Sequence, residues 1–284
     1  MKKFLISTLL ILSAVVGGNA QVTTSTLSGT IRDANETLIG ATVRAIHTPT
    51  GTSYAASSGP DGRFTISNMR VGGPYSIEVS YIGYETRRFS DVTLQLGEPY
   101  ILNVTLAVSG TQLSEVVISG TVDPILNRER TGAATNVNRQ QIENLPTISR
   151  SLQDFTRLTP QATGTNSFGG ANNRFNNVTI DGAVNNDVFG LSGSGTPGGQ
   201  AGTQPISLDA IQEIQVVLAP YDITQGNFTG GGVNAVSRSG TNKFQGSAYY
   251  FGRTEDIVGE NPLSGVSYPS FKEDQYGFRL GGPI

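Results

Sequence analysis

The chain has 284 residues, and at about 150 residues per domain that length predicts two domains. Charge is nearly balanced, 19 Lys+Arg against 22 Asp+Glu, and charged residues make up only 14% of the chain. That excludes a polybasic nucleic-acid protein as the leading reading. There is no Cys, and His47 is the one His, so disulfides, zinc–thiolate and iron–sulfur centres, a lipidated N-terminal Cys and multi-histidine metal sites are excluded as well. With Gly 36 and Pro 13, what remains is a turn-rich chain, expected to be mainly β with some α.

Lys2 and Lys3 precede an apolar run at residues 4–16, and Gly18-Asn19-Ala20 is a small-residue cleavage pattern. The run is shorter than the ~20 residues that span a bilayer. A secretory signal peptide over residues 1–20 is expected, with cleavage between Ala20 and Gln21.

Within residues 21–109, the pattern from Leu27 to about Leu106 is period two. Leu27 and Ile31 share a face, as do Tyr75, Ile77, Val79 and Tyr81, and then Leu102, Val104 and Leu106. Pro60-Asp61-Gly62, Gly72-Gly73-Pro74 and Gly97-Glu98-Pro99 suit tight turns between them. Strands at this spacing predict an antiparallel β-sandwich. The stretches Ser28-Gly29-Thr30-Ile31-Arg32-Asp33, Gly40-Ala41-Thr42-Val43, Asp61-Gly62-Arg63-Phe64 and Tyr81-Ile82-Gly83-Tyr84-Glu85 resemble the carboxypeptidase-regulatory-like domain. That resemblance implies a sandwich module without peptidase chemistry.

Residues 110–130 read as a linker around one β-prone segment, Leu113-Ser114-Glu115-Val116-Val117-Ile118. Beyond it, Asn138 with Gln141 three positions on predicts a capped helix that Pro146 ends. Ser149 is expected to cap a second helix, with Leu152, Phe155 and Leu158 on one apolar face before Pro160. Residues 164–203 are rich in Gly, Asn, Ser and Thr around a β-prone island at 177–182, and a loop this long is usually functional or disordered. Strands are expected at 211–218 and 233–237, around a turn at Gly230-Gly231-Gly232. In the last stretch, residues 244–251 and 275–280 read as strands. Tyr276, Phe278 and Leu280 face opposite to Gln275, Gly277 and Arg279, an alternation that fits a transmembrane barrel strand and an ordinary half-buried strand alike.

The order sandwich, β-prone box, mixed α/β segment and barrel-like strands resembles TonB-dependent outer-membrane receptors, on the Oar-like and SusC-like branch. The motifs are Thr131-Gly132-Ala133-Ala134-Thr135, Ile142-Glu143-Asn144-Leu145-Pro146, Val178-Thr179-Ile180-Asp181-Gly182, Leu208-Asp209-Ala210-Ile211-Gln212-Glu213-Ile214-Gln215-Val216, Ala219-Pro220-Tyr221-Asp222 and the run from Gly230 to Asn242. The resemblance implies a plug domain over 131–242 and the first strands of an incomplete barrel over 243–284. Such receptors continue into barrels of ~22 strands, at ~9–11 residues per strand. Only 42 residues follow Asn242, so a fragment of a longer receptor is expected.

By the same resemblance, Leu113, Glu115, Val116, Val117 and Ile118 form a TonB box that adds as a strand to an edge of periplasmic TonB. The competing reading makes them the last strand of the sandwich. Asn172, Asn173, Arg174 and Phe175 are the candidate ligand-facing plug loop, suited to sugars or peptides and equally to packing in a polar lumen. No cofactor, metal site or catalytic residue is expected, and no nucleic-acid partner. Gly193-Ser194-Gly195-Thr196-Pro197-Gly198 matches G-x-G-x-x-G but follows no strand and opens no helix. The expected role is energised uptake of a large nutrient, a peptide or a glycan, across the outer membrane. The sandwich and box would lie in the periplasm, and a surface lipoprotein is a candidate partner. The rival is a secreted or surface two-domain adhesion protein without transport.

Overall fold

The structure, a computed structural model, describes residues 22–109, 116–119 and 134–283, apart from 148, 164–165, 188, 202 and 221–224. The cleavage site at Ala20 and Gln21, and Leu113 and Glu115, lie outside the described residues.

Alternating apolar residues build the N-terminal unit. Its strands are β1 (Ser25–Arg32), β2 (Thr42–His47), β3 (Thr52–Ser57), β4 (Arg63–Met69), β5 (Gly72–Ser80), β6 (Arg87–Leu94), β7 (Pro99–Ile101) and β8 (Val104–Thr105), and β9 (Val116–Ser119) joins them from beyond. One sheet has the order β4-β1-β7, with β8 also on β1; the other has the order β3-β2-β5-β6-β9. Leu27, Ile31, Val43, Phe64, Ile66, Tyr75, Ile77, Val79, Val92 and Val104 meet in one buried core between them. The sheets are not wholly antiparallel as expected, because β1 pairs in parallel with β7 and β8, and β6 with β9. β7 and β8 arrive from the opposite sheet and run alongside β1 in its own direction. Gly72-Gly73-Pro74 is not a turn either: β5 starts there, and a Cβ on Gly73 would meet the Val92 carbonyl at 2.6 Å. Gly97 does turn the chain, with φ at +65°.

The central unit contains β10 (Ala134–Asn138), α1 (Arg139–Asn144), α2 (Leu152–Thr156), β11 (Ala162–Thr163), β12 (Ser167–Phe168), β13 (Asn177–Ile180), β14 (Ala183–Val184), β15 (Ile211–Val217) and β16 (Gly232–Ser237). Its main sheet has the order β10-β15-β16-β13-β14, and only β13 and β16 pair in parallel. Val137, Ile142, Leu152, Phe155, Ile214, Val216 and Val233 form its core.

Asn138 caps α1 as expected: its side chain accepts from the Gln141 N–H while Gln141 reaches back to the Asn138 N–H. The cap of α2 is Ser151, not Ser149. The Asp154 carboxylate collects the N–H groups of both serines, at 3.0 and 3.2 Å, so the helix starts later. It also ends at Thr156, which leaves Leu158 exposed rather than on the apolar face.

The described part of the long Gly/Asn-rich stretch is ordered by amide side chains as well as by Phe168 and Val178, which enter the core. Asn176 donates to the Asn166 carbonyl at 2.6 Å and accepts the Gly231 N–H at 3.0 Å, while Asn166 donates to the Ser194 carbonyl. Polar groups buried here need partners, and the neighbouring backbone supplies them.

The C-terminal unit is a hairpin of β17 (Gln245–Thr254) and β18 (Lys272–Gly281), with the short α3 (Glu255–Val258) in the connection. The two strands pair along their whole length, from Gln245 opposite Gly281 to Thr254 opposite Lys272.

Candidate functional site

Three surfaces carry the chemistry. The first is the two-faced hairpin. Period two places Tyr250, Tyr276, Phe278 and Leu280 on one side, where Phe278 is 88% exposed and Leu280 78%. Ser247, Tyr249, Arg253, Glu273, Gln275 and Arg279 take the other side, which is less exposed. This inner side touches the central unit: the Arg150 guanidinium lies 4.3 Å from the Tyr249 ring centre, Tyr249 Oη is 3.3 Å from Ser207 Oγ, and Gln275 donates to the Ser149 carbonyl at 3.5 Å. The aromatic strip thus turns away from the protein, with Lys272 and Asp274 at one end of the same side, and the polar strip turns toward it.

The second surface gathers the loop residues singled out from the sequence. Asn172 Oδ1 accepts the Arg174 N–H at 3.1 Å, Asn173 Nδ2 donates to the Gly193 carbonyl at 2.6 Å, and Arg174 reaches the Gly190 carbonyl at 3.4 Å. These contacts tie the loop to residues 187–195. Arg174 and Phe175 then line an open cavity of about 700 Å³ with Asp187, Phe189 and Phe228. Asn172 and Asn173 shape the loop and are not among the lining residues. The Asp187 carboxyl is held below its usual range, chiefly by the Ser192 N–H; burial opposes this, and the N–H groups of Phe189, Leu191 and Gly190 add to the lowering. A charged pair and exposed aromatic rings around an open cavity suit a polar ligand that has apolar faces. Phe228 was not legible as a partner, since it is 53 residues from Phe175 and meets it only through the fold.

The third surface joins the sandwich to the central unit. Glu213 and Gln215 stand two apart on β15 and so share a face. Both are buried and both hold one residue of the sandwich. Glu213 Oε1 accepts the Leu96 N–H at 3.0 Å, and Gln215 Nε2 donates to the Leu96 carbonyl at 2.6 Å. Asn136 donates to Gln95, Asn234 to the Val22 carbonyl, and Asn242 to the Thr50 carbonyl. Burial is the main cause that pushes the Glu213 carboxyl up to about 8; the Leu96 N–H opposes it and the nearby Glu98 charge adds to it. Burial favours the neutral form of this carboxyl, and the bond from Leu96 offsets part of the cost of burying it.

Of the box residues, Val116, Val117 and Ile118 lie on β9, paired in parallel with β6, from Val116 opposite Arg87 to Ser119 opposite Ser90. The competing reading, a last strand of the sandwich, describes where the backbone sits. It leaves contact with TonB as a separate question. His47 is structural: its ring lies 4.9 Å from that of Tyr75 and its Nδ1 is 2.7 Å from Thr50 Oγ1. Burial, and then the Arg70 charge, lower its pKa.

Residues 26–107 match the Carboxypeptidase regulatory-like domain, and residues 236–284 match the Outer membrane beta barrel domain. Together with the hairpin these matches define the class: a chain that joins a regulatory-like sandwich to an outer-membrane barrel domain. Over 94% of its length the chain is 26% identical to the TonB-dependent transporter Oar of Myxococcus xanthus, and it spans 26% of that relative's length. The chain is thus similar to a TonB-dependent transporter over most of its own length. Among solved structures, a cohesin–X-dockerin complex from Acetivibrio cellulolyticus shares 22% identity over 30% of this chain and 58% of that one, with a TM-score of 0.25. A putative carbohydrate binding protein from Bacteroides uniformis shares 14% over 30% of this chain and 41% of that one, also at 0.25. At such TM-scores neither likeness bears on function.

Proposed function

We propose that this chain is the N-terminal part of a TonB-dependent outer-membrane transporter, a receptor that takes up a large nutrient without enzymatic chemistry. The hairpin carries the reading. β17 and β18 would be the first strands of the barrel wall, with Tyr250, Tyr276, Phe278 and Leu280 toward lipid and Arg253, Gln275 and Arg279 toward the lumen. The central unit, residues 131–242, would be the plug, since its rim already contacts the inner face of these strands. The sandwich, residues 21–109, and the box would then lie in the periplasm, after removal of residues 1–20.

In this reading residues 113–118 add as a strand to TonB, where backbone bonds give affinity and alternate side chains give selectivity. The cavity around Arg174, Phe175 and Phe189 faces the ligand, with a peptide or glycan as the class its rings and charges fit. The resemblance also leaves room for a surface lipoprotein partner. A secreted adhesion protein is the weaker reading, because it would leave the aromatic strip of β18 in water.

The test is the mass of the native polypeptide in fractionated cells, detected with an antibody against residues 131–242. A heat-modifiable outer-membrane band well above 29.9 kDa is expected. A soluble band near that mass would overturn the proposal. For the box, Val117→Pro removes a backbone donor and is expected to abolish binding of the TonB periplasmic domain. Unchanged affinity would reject that assignment.

A further inference from the structure

We infer that the sandwich is a force-transmitting element: it links the box strand to β15, an interior strand of the plug sheet, through the Glu213–Leu96–Gln215 clamp. This rests on the proposed function only for the identity of what pulls.

The path is hydrogen-bonded from end to end. β9 pairs with β6 at Arg87–Ser90. β6 runs on to Leu94 and delivers the chain to Gln95 and Leu96 within two residues. Both backbone groups of Leu96 are then held by Glu213 and Gln215, as if by the neighbouring strand of a sheet. Leu96 itself has no exposed surface, and Gln95 is held in addition by Asn136 on β10. The clamp sits on β15, the strand between β10 and β16 in the main sheet of the central unit.

The covalent route is different in kind. From Ser119 to Ala134 the chain passes through residues 120–133, 14 residues with a fully extended reach of roughly 46–50 Å. A pull on the box that travelled by this route alone would bypass the sandwich. A pull that travels through β6 and Leu96 loads the plug at once. The partners of the clamp are also unusual for a mere tether. A buried carboxyl and a buried amide are costly to leave unpaired, so they make the junction specific and stiff. Gly97 lets the Gln215 side chain approach: a Cβ there would lie 3.0 Å from Gln215 Nε2 and 3.1 Å from its Oε1, in a residue whose φ is +65°. The sandwich thus gains a role that a β-sandwich fold alone does not imply.

The experiment is to pull the full mature chain between two engineered thiols, Ser119→Cys on β9 and Val184→Cys on β14. The natural chain has no cysteine, so both handles are unique. The wild-type background is expected to resist and then lengthen in one rupture, by at most roughly 50 Å. Two variants cut the clamp from opposite sides: Glu213→Ala with Gln215→Ala on the plug, and Gly97→Val on the sandwich. Each is expected to rupture at a markedly lower force than the wild type, still held by the Asn136–Gln95, Asn234–Val22 and Asn242–Thr50 contacts. Wild-type chains that lengthen without resistance would overturn the inference, and so would variants that rupture at the wild-type force. A lower force in the plug variant alone would mean damage to the central sheet, and would overturn it too. Because the handles are chemical, the result stands apart from TonB binding, which Val117→Pro tests separately.

Discussion

The sandwich and the central unit solve the same problem with different material. In the sandwich, Leu27, Ile31, Tyr75, Ile77 and Val79 interleave across two sheets, and the few buried polar groups are local, such as Ser58, which donates to the Leu38 carbonyl and accepts the Ala41 N–H. The central unit has a smaller apolar core and buries Thr156, Asn166, Asn176, Asn177, Thr179, Glu213 and Gln215 beside it. Apolar burial is additive and needs no particular partner. Buried amides and carboxyls need specific partners in place, and for Glu213 and Gln215 that partner, Leu96, belongs to the sandwich. The difference teaches that one unit carries its own stability, whereas the other depends on its neighbours. Expressed alone, residues 22–109 are expected to unfold cooperatively, and residues 134–242 to show no comparable transition. Equal cooperativity would erase the distinction.

Substitutions sharpen the contrast. Ile77→Ala opens a hole in the sandwich core and is expected to cost about 2–5 kcal/mol in chemical denaturation. Phe278→Arg probes the hairpin: about 2–4 kcal/mol near the middle of a bilayer, but within about 0.5 kcal/mol if that face meets water. The assay is refolding into vesicles against denaturant. Asn176→Ala leaves the Gly231 N–H and the Asn166 carbonyl without this partner, at about 1–3 kcal/mol for each group that stays unpaired. Its signature is faster hydrogen exchange at Gly231, with the sandwich amides unchanged.

The clamp adds a pH dependence. Glu213 has its pKa raised from an ordinary 4.5 to about 8 when docked, so docking binds a proton. Docking is at full strength below pH 4.5, weakens by at most tenfold per pH unit as pH rises, and levels off above about 8. Energy transfer between dyes on Glu36→Cys and Val184→Cys reads the docked fraction, and Glu213→Gln is expected to flatten the profile. A profile unchanged by Glu213→Gln would place the titrating group elsewhere.

Much of this was legible along the chain. The alternation in β2, β5 and β18 places side chains on opposite faces by geometry alone, and the Asn138–Gln141 capping box is a local contact that three residues suffice to specify. The start of α2 was misplaced because Asp154 serves Ser149 and Ser151 together, and spacing cannot choose between the two. The candidate loop at Asn172–Phe175 was found from its composition. The cavity it lines was not, since Phe228 arrives from a different part of the chain.

Glu213 and Gln215 mark the limit most clearly. The sequence by itself determined that β15 has two unlike faces, Ile214 and Val216 on one and Glu213 and Gln215 on the other. Its natural reading leaves the polar face in solvent. Only the tertiary structure decided that this face is covered by Leu96, that burial raises the pKa of the carboxyl there, and that Val116–Ser119 lies along β6. Periodicity is set by the local backbone and survives without the rest of the fold. Burial of a polar face, and the pairing of distant edges, depend on which surface arrives, and that is a property of the whole chain.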